Sequence, residues 1–147
     1  MEIDRSAPAI ATGELDIAAS PEVVWDVISN IEAWSSWNPD VKTATLEGPL
    51  AVGSVFRWRA GGVSLTSTLG AVDPPRELSW TGRAMGIRAI HTFRFEPNDG
   101  GTLARSEESW AGLVPTLLRG SSRRTLDRGI GSVLRLLKDE AERRAGT

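Results

Sequence analysis

The 147-residue sequence has no cysteine, no tyrosine and a single histidine, His91. Without cysteine there is no disulfide, no thiolate nucleophile and no thiolate-bound metal. A catalytic zinc wants three protein ligands, and one histidine would leave carboxylates to supply the rest, so no metal is expected. No apolar run approaches the ~20 residues a membrane span needs, so stable insertion in a bilayer is not expected. The opening residues Met1 to Arg5 lack the basic and apolar regions of a signal peptide, which makes a cytoplasmic protein the expectation. The net charge of −2 argues against a general attraction to nucleic acid or anionic membrane. No phosphate-binding glycine loop is present. Gly129-Ile130-Gly131 falls inside a helical pattern and does not match a dinucleotide fingerprint, so no cofactor is expected.

What the chain does have is six tryptophans, three phenylalanines and an ordinary hydrophobic share of 40%. Its length suits one domain, expected over residues 10–144 behind a frayed, flexible stretch at 1–9, as a monomer or homodimer. Residues 10–18 read as a strand. Ser20-Pro21-Glu22 reads as a helix start, with a hydroxyl cap, a first-turn proline and an early acid. A second short helical turn is expected over 31–36, before Trp37-Asn38-Pro39 ends it. Strands follow at 41–47, 55–60, 63–72, 77–81, 87–96 and 102–111, separated by glycine and proline turns such as Gly61-Gly62. The last stretch, 113–144, repeats Leu118, Leu126, Ile130, Val133, Leu134, Leu137 and Ala141 at helical steps. A kink or fray is expected near Gly120. Gly129 and Gly131 suggest close backbone packing, or room for a guest molecule. Strands joined by tight turns are antiparallel, and a one-sided sheet must bury its apolar face. The fold class is therefore α+β, a curved antiparallel seven-stranded sheet around a long C-terminal helix.

Alternation along each strand assigns the faces. Phe56 and Trp58 face inward, as do Leu78 and Trp80; so do His91, Phe93 and Phe95, and Ala104, Ser106, Glu108 and Trp110. On neighbouring strands His91 must then lie opposite either Ser106 or Glu108 and diagonal to the other, within side-chain reach.

Several segments together resemble the polyketide cyclase/dehydrase family of the START-like, or SRPBCC, superfamily, from about residue 10 to 137. They are Ser20-Pro21-Glu22-Val23-Val24-Trp25 with Trp34-Ser35-Ser36-Trp37-Asn38-Pro39; Asp73-Pro74-Pro75-Arg76 through Trp80; His91-Thr92-Phe93-Arg94-Phe95-Glu96-Pro97; and Gly101-Thr102 through Leu113. The resemblance implies the helix-grip fold and a deep apolar cavity between sheet and terminal helix. Such cavities bind lipids, polyketides, sterols or other hydrophobic molecules. The positions that match the family's cavity lining are Trp58, Trp80, His91, Phe93, Ser106, Glu108 and Trp110; Phe56 and Ile130 join them as candidate ligand contacts. Ala104 stands where relatives often carry a larger residue, which would widen the cavity. Some relatives are aromatases, cyclases or dehydratases and many are carriers, with no shared catalytic set to carry over.

His91 is the strongest candidate for proton transfer, since its intrinsic pKa lies near neutrality, and Glu108 is its candidate partner. Ser106, His91 and Glu108 have the residue types of a hydrolytic triad, but without a strained elbow or evident oxyanion donors. Arg119, Arg123, Arg124 and Arg128 form a basic patch. It reads first as a solvated face with helix-pair charges such as Asp127 and Glu140, and second as a landing site for an acidic partner. Nucleic-acid binding is not expected, because the aromatics point inward rather than across an exposed sheet. The leading expectation is a protein that binds or transports a small hydrophobic molecule. The alternatives are a polyketide cyclase or dehydratase using His91 as acid/base, and a co-chaperone-like interaction domain acting through its surface.

Overall fold

Ser20 ends the first strand's connection and starts a helix by accepting a hydrogen bond from Val23 N at 3.3 Å, while Pro21 needs no N–H partner in the first turn. The result is α1, Pro21–Ser29, followed by a single 3-10 turn, Ile31–Ser36. The computed structural model describes residues 1–146. Its strands are β1 Ala9–Ile17, β2 Val41–Glu47, β3 Val55–Ala60, β4 Val63–Asp73, β5 Glu77–Ala84, β6 Ile87–Asn98 and β7 Gly101–Ala111. They form one antiparallel sheet in the order β1-β7-β6-β5-β4-β3-β2. Two-residue turns with both residues at positive φ join β3 to β4 through Gly61 and Gly62 and β6 to β7 through Asp99 and Gly100, the mirror-image geometry that matches strand twist.

The C-terminal segment is two helices, α2 Leu113–Leu117 and α3 Arg119–Ala145. The break falls at Leu118, whose φ of −119° and ψ of 53° leave the helical region, next to the kink or fray expected near Gly120. Upstream, Val114 N donates to Gly86 O at 3.1 Å and ties α2 to the β5–β6 turn. Leu118, expected on the buried stripe, is exposed. The buried stripe of α3 runs Ser122, Leu126, Ile130, Leu134, Leu137 and Ala141. Gly129 faces open space and Gly131 meets only the Arg135 side chain, so neither expectation for that pair holds. Close packing occurs across from them, at Gly13 of β1. A Cβ there would lie 2.8 Å from Ile130 Cγ2 and 3.2 Å from Leu134 Cδ1.

Residues 1–8, expected to fray, lie instead on the outer face of the sheet. Ile3 is buried, Asp4 N donates to Ser109 Oγ at 3.0 Å, and the Arg5 guanidinium meets Glu107 at 2.7 Å. The Met1 ammonium donates to Glu77 Oε2 at 2.8 Å. Burial opposes charge on Glu77, yet hydrogen bonds from that ammonium and from Ser79, with Arg94 nearby, outweigh it and hold its pKa below the ordinary value. Small polar residues of the outer face, Ser79 and Thr92 among them, are buried.

Candidate functional site

The alternation read from the strands holds at the centre of the sheet: Phe56, Leu78, Trp80, Phe93, Phe95 and Ala104 are all buried. Arg57, by contrast, points outward to Glu47. On the inner face Trp80 stacks on Phe93 with ring centroids 5.6 Å apart, and His91 sits 4.6 Å from Phe93 and 5.0 Å from Trp80.

Trp34 descends from the 3-10 turn into this array. Its ring lies 5.5 Å from Phe56 and 5.3 Å from Trp58, nearly edge-on to both, and 5.3 Å from Trp80. Its Nε1 donates to Ile28 O at 2.9 Å. Each such aromatic pair contributes roughly 0.5–1.5 kcal/mol beyond its burial, so Trp34 is firmly seated.

The space left over is a hollow of about 50 Å³. The cavity expected between sheet and helix is thus in place but narrow, well under the roughly 300–1,000 Å³ of a typical ligand site. The reason is Trp34, which fills the middle of it. A larger depression of about 420 Å³, among Asp16, Asn98, Asp99 and Lys138, is open and has no aromatic wall.

Of the expected ligand contacts, Trp58, Trp80, His91 and Phe93 line the hollow. Phe56 is fully buried behind them. Ser106, Glu108 and Trp110 support the polar end, and Ile130 packs against Gly13. The rest of the wall comes from Trp34, Trp37, Asn38, Val41, Ile28 and Val133. None of these six was assigned to the site from sequence, although two tryptophans spaced three apart before Asn38-Pro39 were visible there.

His91 lies directly opposite Glu108 and diagonal to Ser106. Its Nε2 is 2.9 Å from Ser106 Oγ, while Nδ1 stands 3.5 Å from Glu108 Oε1, too far for a strong hydrogen bond. The other oxygen of Glu108 accepts from Trp110 Nε1 at 2.8 Å. Burial pushes the His91 pKa down, and the Glu108 charge opposes this without cancelling it. The ring is therefore neutral at pH 7. The order Ser–His–Glu is that of a triad, but Ser106 is fully buried and off the wall of the hollow. Its hydroxyl orients the imidazole; it has no room to attack a substrate.

Trp37 Nε1 is the one buried side-chain polar atom without a hydrogen-bond partner among the described residues, and Trp37 lines the hollow. Among those residues no three His, Asp or Glu side chains are grouped to hold a metal ion. No helix is long and apolar enough to cross a membrane.

A seven-stranded antiparallel sheet closed around a long C-terminal helix, with an aromatic hollow between them, is the helix-grip fold. The profile of the family described as polyketide cyclase / dehydrase and lipid transport matches residues 8–142, and the chain belongs to that family. No curated protein matches the chain. Among solved structures it is similar to protein TTHA0849 from Thermus thermophilus, with a TM-score of 0.78 at 18% identity, covering 90% of this chain and 96% of that one. Protein MLL2253 from Mesorhizobium loti gives 0.75 at 24% identity, over 91% and 97%. The di-domain ARO/CYC StfQ from the steffimycin biosynthetic pathway gives 0.80 at 17% identity, over 95% of this chain and 52% of that one. At these identities the likeness establishes the fold.

Proposed function

We propose that the protein binds a small hydrophobic molecule in the hollow under the 3-10 turn, and that this molecule carries a hydrogen-bond acceptor. The observation that carries the reading is Trp37 Nε1, a buried donor with no partner on the wall of an otherwise apolar space. An unmade buried hydrogen bond costs roughly 1–3 kcal/mol, which a carbonyl or ether oxygen on a guest would recover. Aromatic faces supply the remaining affinity, as is usual for apolar sites with few polar anchors. At about 50 Å³ the hollow is too narrow for such a guest as it stands. Admission of an organic guest requires the Trp34 ring to leave its place against Phe56, Trp58 and Trp80.

The test is a matched set of ligands, such as a fused-ring aromatic ketone and the hydrocarbon of the same skeleton, followed by tryptophan emission and by mass spectrometry of the intact protein. Expected are quenching by the ketone and, in Trp37→Phe, loss of the preference for ketone over hydrocarbon. If no member of a broad panel binds, and extracts of the purified protein contain no small molecule, the reading fails and a surface-acting interaction domain takes its place.

One observation favours catalysis as a second reading. His91 is a neutral, oriented imidazole on the hollow's wall, the state required of a general base in cyclisation or dehydration. In that reading His91→Ala abolishes turnover of a polyketide-like substrate while ligand affinity survives. Equal loss of both returns His91 to a binding role.

A further inference from the structure

Four of the six large apolar side chains exposed among the described residues gather at one end of the molecule: Met85 is 93% exposed, Leu113 67%, Leu117 71% and Leu118 57%. Met85 sits at the tip of the β5–β6 hairpin. The next residue, Gly86, is tied to α2 by Val114 N and covered by the Val114 side chain. Leu113 and Leu117 are four residues apart and share one face of α2.

The same end is cationic although the chain as a whole is not. Residues 81–92 and 109–126 hold five arginines and no Asp or Glu, in a protein of net charge −2. Arg83 and Arg88 stand directly opposite each other across β5 and β6. Like charges in that position destabilise a sheet; Asp4, whose charge Arg88 favours, lies nearby. On α3, Arg123 reaches the carbonyl of Pro8 at 3.2 Å. Among the described residues no ion pair joins Asp127 or Glu140 to this patch, and Glu140 bonds Arg143 and Arg144. Elsewhere Arg5, Arg57, Arg76, Arg94, Arg105 and Arg143 each meet a carboxylate.

We infer that this end docks on an anionic lipid surface, with Met85, Leu113, Leu117 and Leu118 entering the headgroup boundary and the arginines meeting lipid phosphates. An apolar wedge inside a cationic collar is the chemistry of an interfacial membrane contact. An acidic protein partner would use the arginines but leave four apolar side chains without a reason to be bare. The inference does not depend on the hollow being occupied.

The test is flotation with vesicles of phosphatidylcholine alone and of phosphatidylcholine with phosphatidylglycerol. Expected are binding to the anionic vesicles only and weakening as salt rises. Arg119→Gln and Arg124→Gln are each expected to weaken it about fivefold. Met85→Ser with Leu117→Ser is expected to abolish the binding that survives moderate salt. All four positions are exposed, so circular dichroism should be unchanged. No flotation with anionic vesicles, or equal flotation of the variants, overturns the proposal. So does a concentration-dependent dimer that the Met85/Leu117 variant dissolves, which would assign the patch to a second copy of the chain.

Discussion

The indole of Trp34 stands edge-on to Phe56, with ring centroids 5.5 Å apart and planes at 87°. It thereby occupies the volume a guest would need. Trp34→Ala should cost about 3–5 kcal/mol of stability, the usual range for deleting a large buried aromatic. The vacated space has the shape of indole. Millimolar indole is therefore expected to raise the melting temperature of Trp34→Ala, and to raise that of the unaltered protein much less. Differential scanning calorimetry reads both. If Trp34→Ala does not fold, Trp34→Leu leaves a smaller void for the same measurement. Equal response of variant and parent would show that the ring does not gate the hollow.

His91 makes stability depend on pH in a known direction. Its folded pKa lies below the ordinary value, chiefly through burial. Above about pH 6.5 both folded and unfolded chains hold it neutral, and it contributes no slope. As pH falls below that value the unfolded chain takes up the proton first. Stability then drops until the folded pKa is reached. The carboxylates with lowered pKa, Glu77 among them, lose their contribution lower, as pH falls from the ordinary carboxylate value through the folded one. Urea midpoints between about pH 7 and 5 should therefore decline for the parent and stay nearly level for His91→Gln. A matching decline in the variant would place the slope elsewhere.

How far the sequence could be read follows from what fixes a face. Alternation over five or more residues does so, and His91, Phe93 and Phe95 could be assigned inward before any coordinates. The same parity narrowed the residue across from His91 to Ser106 or Glu108, and the register of β6 on β7 selects Glu108. The 3-10 turn is only six residues long, too short for periodicity to say whether Trp34 points in or out. The narrowness of the hollow was hidden with it. Leu118 was assigned to the buried stripe by its spacing, which assumes an unbroken helix, and the break at Leu118 itself takes it out of phase. Docking of residues 1–8 had no signal at all, since one isoleucine among polar residues has no period.

That docked segment is nonetheless expected to contribute measurably, and through its apolar residue. Ile3 is buried, so Ile3→Ala should cost about 2–5 kcal/mol in urea unfolding. The Arg5 side chain is 59% exposed in its ion pair with Glu107, and Arg5→Ala should move the urea midpoint far less than Ile3→Ala does. The reverse ranking would mean that charge rather than burial holds the segment down.

The seat of α3 on the sheet can be tested through Gly13 and Ile130. A Cβ at position 13 would come within 2.8 Å of Ile130 Cγ2, closer than side chains tolerate. Gly13→Ala should therefore destabilise by about 1–3 kcal/mol through overpacking. Ile130→Ala should do so by about 2–5 kcal/mol through the void it leaves. In the double variant the new methyl enters that void. Leu134 Cδ1, at 3.2 Å, can turn aside, because it is the far end of a flexible side chain. The combined loss should then fall short of the sum by about 0.5–3 kcal/mol, the coupling expected of residues in contact. Strict additivity would mean that the helix does not rest on β1 at this glycine.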